Sequence, residues 1–165
     1  MPQGPAARLT DMVMHPLPGI LVPGPGSPTV IIGYLPAWRA VPTGAGAGLQ
    51  AANQAATTII KAAEATTAAA VGPAIPAAYA AEQATKAAQL LAMTATVMSA
   101  AAGADIYSCL VPLPVPVHGP GVVIDGSATV MTNFLPQSRL GDTVIEAVGP
   151  PDKIVKGEPT VIVGG

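Results

Sequence analysis

At 165 residues, a net charge of −2 and a pI near 5.5, the chain is expected to be one domain or one domain with an insertion, and it offers nucleic acid no basic surface. Half of its residues are hydrophobic but only 3% are aromatic, which excludes an aromatic-rich core, while 18 glycines and 19 prolines favour turns and short strands. A single cysteine excludes an intrachain disulfide, and the N-terminus lacks the basic, apolar, small-residue order of a signal peptide, so assembly in the cytoplasm is expected.

The first element follows the run Pro5-Ala6-Ala7-Arg8, with Asp11 and His15 after it. Next comes "GSPTVIIGYLPAWR", Gly26 to Arg39, which returns 100 positions later as "GSATVMTNFLPQSR", Gly126 to Arg139. Seven positions are identical between the copies, among them Ser27 and Ser127, Pro36 and Pro136, Arg39 and Arg139. A third copy, "GEPTVIVGG", starts at Gly157 and stops after its strand, and the N-terminal "GPAARLTD" supplies the missing half. The repeat is therefore circularly split, and the first and last strands must lie together. All three arginines, Arg8, Arg39 and Arg139, share one repeat position. Three units of roughly 30 residues, each a short strand pair with Gly/Pro turns, close around an axis, because a solenoid would need capping repeats.

Between Arg39 and Asp105 the middle unit is interrupted. Residues 45–104 hold 26 alanines in 60 positions, a density that specifies helix. Gly72-Pro73 within "VGPAIP" divides it into two arms of 23 to 26 residues. Alanines recur every seven residues, at Ala55, Ala62 and Ala69, at Ala56, Ala63 and Ala70, and at Ala81, Ala88, Ala95 and Ala102. Such lines suit two closely packed antiparallel helices. Lys61, Glu64, Glu82 and Lys86 are expected on the solvated face. The hairpin is expected to join the body only through its two connections, Arg39 to Gly48 and Gly103 to Asp105. A competing reading places the uncharged stretch Ala87 to Ala104 in a membrane.

After the insertion "GADIYSC" restores the repeat. Asp11 precedes His15 by four, Asp105 precedes Cys109 by four, and Asp142 precedes Glu146 by four. Equivalent positions converge on the axis, so His15, Cys109 and Glu146 form a candidate metal site, and His118 in "PVPVHGPG" is the fourth candidate donor. Thiolate, imidazole and one carboxylate point to zinc, with iron left open, and four ligands with no open position describe a structural site rather than a catalytic one. No Ser/His/Asp or Cys/His set remains for an enzyme once these are assigned.

The Pro5–Arg8 run, its echoes "PAWR" and "PQSR", "RLGD" at Arg139 to Asp142, "HGPG" at His118 and "GSATV" at Gly126 together resemble the PAAR-repeat proteins. The resemblance covers roughly 1–40 and 103–165. It implies a mainly β fold, a small pseudo-three-fold β-cone formed by 1–44 and 103–165, with residues 45–102 as an inserted Ala-rich helical hairpin. It implies one zinc per chain near the vertex, with His15, Cys109 and His118 matching the family's motif. Glu146 stands where a histidine is more usual, leaving the fourth place to it, to water or to another residue. It further implies one copy capping the blunt end of a trimeric VgrG-type spike of type VI secretion and related contractile injection systems, exported by that machine and helping to carry effectors. The hairpin, absent from minimal members, is expected to bind an effector or chaperone; acting on a membrane or as an effector itself is the alternative.

Overall fold

The computed structural model describes residues 3–14, 19–108 and 118–165. In chain order its elements are β1 (Gly4–Ala6), β2 (Met12–Met14), β3 (Gly19–Ile20), β4 (Pro23–Gly24), β5 (Ile31–Ile32), β6 (Leu35–Pro36), the helices α1 (Ala45–Ala69) and α2 (Ile75–Ala101), then β7 (Ile106–Ser108), β8 (Pro120–Val123), β9 (Met131–Thr132), β10 (Leu135–Pro136), β11 (Thr143–Glu146), β12 (Asp152–Ile154) and β13 (Glu158–Val163). With helices of 25 and 27 residues beside strands of two to six, the chain is a mixed α/β protein. The expected strands and inserted helical hairpin are both present, but the balance is mixed α/β rather than mainly β, because the two helices are long while Gly and Pro keep every strand short.

Seven strands form a curled antiparallel sheet in the order β3-β2-β12-β11-β8-β7-β4. It consists of three strand pairs, β2/β3, β7/β8 and β11/β12, each starting just after one of the repeat aspartates, Asp11, Asp105 and Asp142, with β4 added at the edge beside β7. The two edge strands, β3 and β4, are separated in sequence only by Leu21 and Val22. Backbone bonds from Leu21 N to the Asp11 carbonyl (2.8 Å) and from Ser108 N to the Val22 carbonyl (2.7 Å) hold this segment to both sides of the sheet.

Under the sheet, segments 6–8, 37–39 and 137–139 are joined in a closed triangle. Ala7 N donates to the Ser138 carbonyl, Ser138 N to that of Trp38, and Trp38 N to that of Ala7, each at 2.9 Å. Ala6, Ala37 and Gln137 hold the same repeat position, and all three are buried. The Gln137 side-chain amide lies within 3.2 Å of the carbonyls of Ala7, Trp38 and Ser138, so one long side chain serves all three segments and the other two positions carry alanine. Each arginine closes on its aspartate in the same way. The backbone N–H groups of Arg8, Arg39 and Arg139 donate to Asp11, Asp105 and Asp142 at 2.8, 2.7 and 2.9 Å, and each guanidinium forms an ion pair with the same carboxylate. Two of these pairs span three residues; the Arg39–Asp105 pair spans 66.

Three two-stranded ribbons extend from the triangle: β5/β6, β9/β10 and β1/β13. The circular split of the repeat is realised in the last, where the first strand pairs with the last. Register is shared, with Ile31 opposite Pro36, Met131 opposite Pro136, and Ile162 opposite Pro5. The turns Gly33-Tyr34 and Asn133-Phe134 have φ of 52°, 68°, 50° and 66°, the left-handed pair that a two-residue hairpin turn requires. Neighbouring ribbons interlock: the Asn133 amide donates to Thr29 Oγ1 (2.8 Å), the Ser127 hydroxyl to the Gly164 carbonyl, and Arg8 bridges Glu158 (2.5 Å) and the Gly33 carbonyl (3.5 Å).

The helical hairpin breaks at Gly72–Ala74, as its Gly-Pro step dictates. Its packing differs from the alanine-line expectation. Ala56 is buried with Ala63 and Ala70 half-buried, whereas Ala55, Ala62, Ala69, Ala81, Ala88, Ala95 and Ala102 face solvent. In α2 the buried positions are Glu82, Met93, Val97 and Ala101, and Met93 and Val97 remove more apolar area from water than the expected alanine line could. The mid-arm charges also differ from expectation. Lys86 reaches across the hairpin to Glu64 (2.8 Å) and along α2 to Glu82 (2.6 Å), and Glu82 is buried; Lys61 alone of the four forms no ion pair among the described residues.

Nor is the hairpin tied to the body only by its connections. Leu49 and Ala56 of α1 and Met93, Val97 and Ala101 of α2 share one apolar cluster with Val41, Val122, Leu135 and Ala147 of the body. Gly46 lies so close to the Ile124 carbonyl that a Cβ there would collide with it. A second cluster, centred on Leu21, Trp38, Tyr107, Val123 and Val144, fills the curl of the sheet. Among the described residues no helix is long and apolar enough to cross a membrane.

Candidate metal centre

Two of the four donors expected from sequence lie within the described residues, and they touch. His118 Nδ1 is 2.5 Å from Glu146 Oε2, with the His118 side chain 9% and that of Glu146 0% exposed. His15 and Cys109 lie outside the described residues; Met14 and Ser108, the residues before them, end β2 and β7.

Local structure explains how the pair is held. Glu146 is the last residue of β11, opposite Gly121 of β8, and the absence of a side chain at Gly121 leaves room for the Glu146 Cγ. Beyond the strands, Ala147 N donates to the Pro120 carbonyl and Val148 N to the His118 carbonyl, each at 2.9 Å, so the chain carrying the imidazole runs beside the chain carrying the carboxylate. Gly149 packs on the imidazole face, where a Cβ would sit 3.7 Å from three ring carbons. Burial pushes the Glu146 carboxyl up to about 8, and the nearby charge of Asp152 adds to the rise.

Burial favours the neutral form of that carboxyl, and a positive charge brought against it would favour ionisation. A divalent cation would supply it, and imidazole nitrogen and carboxylate oxygen are donors that zinc accepts. Among the described residues no group of three or more His, Cys, Asp or Glu side chains is placed to hold a metal.

Three residues at this end escape a reading based on repeat spacing. Asp152 is buried on β12 beside Glu146. Tyr107, fully buried on β7, brings its hydroxyl against Gly19. Asn53 of α1, 3% exposed, donates from Nδ2 to the Glu146 carbonyl at 3.0 Å. Asn53 had a signal: with Leu49, Ala56 and Ile60 it follows the spacing of one buried helix stripe, and an amide in such a stripe implies a polar partner.

No family model matches the chain, and neither a curated protein nor a solved structure matches it.

Proposed function

We propose that the chain is the metal-stabilised tip of a contractile injection machine: a pseudo-three-fold cone, in the manner of PAAR-repeat proteins, that caps the blunt end of a trimeric VgrG-type spike. The observation that carries this reading is the repeated exposed face of the ribbons. Ile31, Met131 and Ile162 hold one register position on three ribbons and are 58%, 51% and 58% exposed. Apolar side chains left in water at three equivalent positions fit a partner that presents three equivalent apolar sites. Tyr34 and Phe134, at 99% and 100% exposure on two ribbon turns, enlarge that face with aromatic rings of the kind that anchor interfaces.

At the other end of the repeat, His15, Cys109, His118 and Glu146 would hold one zinc and fasten the three loops together, stability that a chain with 3% aromatic residues gains little of from its core. The role is structural, not enzymatic, and export follows the spike. Residues 45–102 are the candidate surface for an effector or chaperone.

Two measurements test the reading. The purified chain should contain about one zinc by elemental analysis, as a single closed site requires, and Cys109→Ser should lower metal content and melting temperature together. A variant carrying Ile31→Asp, Met131→Asp and Ile162→Asp should melt like the parent yet fail to co-sediment with the trimeric spike. Undiminished co-sedimentation would remove the ribbons as the docking face.

A further inference from the structure

We infer that the root of the helical hairpin positions the His118–Glu146 pair, with Asn53 as the positioning residue. The inference rests on the metal-site reading of that pair and adds to it a part of the molecule outside the repeat.

Both chains that carry the pair are braced by the hairpin, one by each helix. On the Glu146 side, the Asn53 amide of α1 donates to the Glu146 carbonyl at 3.0 Å, fixing the backbone of the residue whose side chain meets His118. On the His118 side, the neighbouring Gly119 has φ of 77° and lies against α2. A Cβ there would stand 2.8 Å from Leu90 Cδ1, 2.9 Å from the Ala147 Cβ and 3.5 Å from Thr94 Oγ1. A side chain at 119 would be strained at that φ, would require the end of Leu90 to turn aside and would press on the Ala147 Cβ. Ala147 itself belongs to the apolar cluster shared with Leu49, Met93 and Val97, so the residue after Glu146 is seated on the same hairpin root.

The consequence concerns geometry at the donors. A metal ligand binds well only if its orientation is fixed before the ion arrives, and residues that fix ligands from outside the coordination sphere typically change affinity by about 10- to 100-fold. The peptide carbonyl that Asn53 holds belongs to the same residue as the carboxylate, and the Ala147 and Val148 amides couple the same backbone to Pro120 and His118. Loosening the Asn53 contact therefore loosens both donors at once.

The test uses the full chain, purified with zinc, and the Asn53→Ala variant, with Gln54→Ala on the exposed side of the same helix as control. Zinc affinity is measured by competition with a chromophoric chelator, and the rise in melting temperature on zinc addition is measured alongside. Asn53→Ala should weaken zinc about 10-fold and shrink the zinc-induced rise, whereas Gln54→Ala should change neither. A lowered melting temperature with an unchanged zinc-induced rise would mean that Asn53 only supports the fold, and would overturn the inference. Should Asn53→Ala fail to fold, Asn53→Gln, which keeps the donor on a longer arm, takes its place with a smaller expected loss. If the parent chain takes up no zinc, the metal reading fails, and positioning is decided by amide hydrogen exchange. Faster exchange at Ala147 and Val148 in Asn53→Ala would sustain it, and parental rates would end it.

Discussion

Removing the hairpin should unfold the protein, while removing its outer half should not. Among the described residues the apolar cluster that ties the hairpin to the body draws on its root, with Leu49 and Ala56 of α1 and Met93, Val97 and Ala101 of α2 buried in it. Deleting residues 45–101 and bridging with a short Gly/Ser turn uncovers Val41, Val122 and Leu135 of the body, which are 1%, 0% and 8% exposed. At about 1.5–3 kcal/mol for each side chain returned fully to water, the loss reaches roughly 5–9 kcal/mol. That is comparable to the whole stability of a domain this size, about 5–15 kcal/mol. Deleting only residues 62–88 removes the Glu64–Lys86–Glu82 network and the apex, yet leaves every member of the cluster in place. The assay is urea unfolding of both truncations beside the parent, followed by circular dichroism. The shorter truncation should keep the parental midpoint to within a few tenths molar, and the full deletion should be insoluble or unfolded without denaturant. A full deletion that unfolds cooperatively at the parental midpoint would refute the claim that the root is core.

Asp105→Ala leaves the Arg39 guanidinium buried without its carboxylate and should cost about 3–5 kcal/mol in urea unfolding, although the two residues are 66 positions apart. Tyr34→Gly should not lower the melting temperature, because a ring 99% exposed at a φ of 68° gives up only left-handed strain of about 1–2 kcal/mol; spike capture should weaken instead. In chelator-treated protein, Glu146 keeps its proton to about pH 8 when folded but releases it near 4.5 when unfolded. Its contribution to stability should therefore fall as pH rises through that window and level off above it. Glu146→Gln should flatten this slope in melting temperature, and an identical slope in parent and variant would place the titration elsewhere.

Much of this architecture was legible because the repeat is written in unusual letters. Three arginines in one repeat position and three aspartates in another marked the three units even across the 60-residue insertion, although their pairing as clasps shows only in the fold. Gly72-Pro73 and the density of alanine marked the hairpin and its break. The inward face of that hairpin was not legible in the same way. Alanine recurs on several lines at once, so its period could not say which line is covered; Met93 and Val97, few and large, decided it. The Lys86 network was hidden for a related reason, since charges in mid-helix look solvated until the partner arm is placed beside them. At the candidate metal centre, repeat equivalence led to Glu146 and the motif to His118. Asn53 and Asp152 belong to neither pattern: Asn53 stands out only as an amide in an apolar helix stripe, and Asp152 comes into view only when β12 is packed against β11.

The Arg39–Asp105 clasp also has a kinetic side. Its two sister clasps close over three residues, while this one must gather chain ends 66 residues apart. For a featureless loop the longer closure would add about 2.7 kcal/mol of entropy cost, from the logarithm of the length ratio. The inserted segment is not featureless. Helices form in about a microsecond, long before distant strands pair, and a hairpin of nearly equal arms returns the chain close to where it left. The insertion thus delivers Asp105 to Arg39 early and shortens the effective loop, so the longest detour in the sequence becomes one of the quickest closures in the fold.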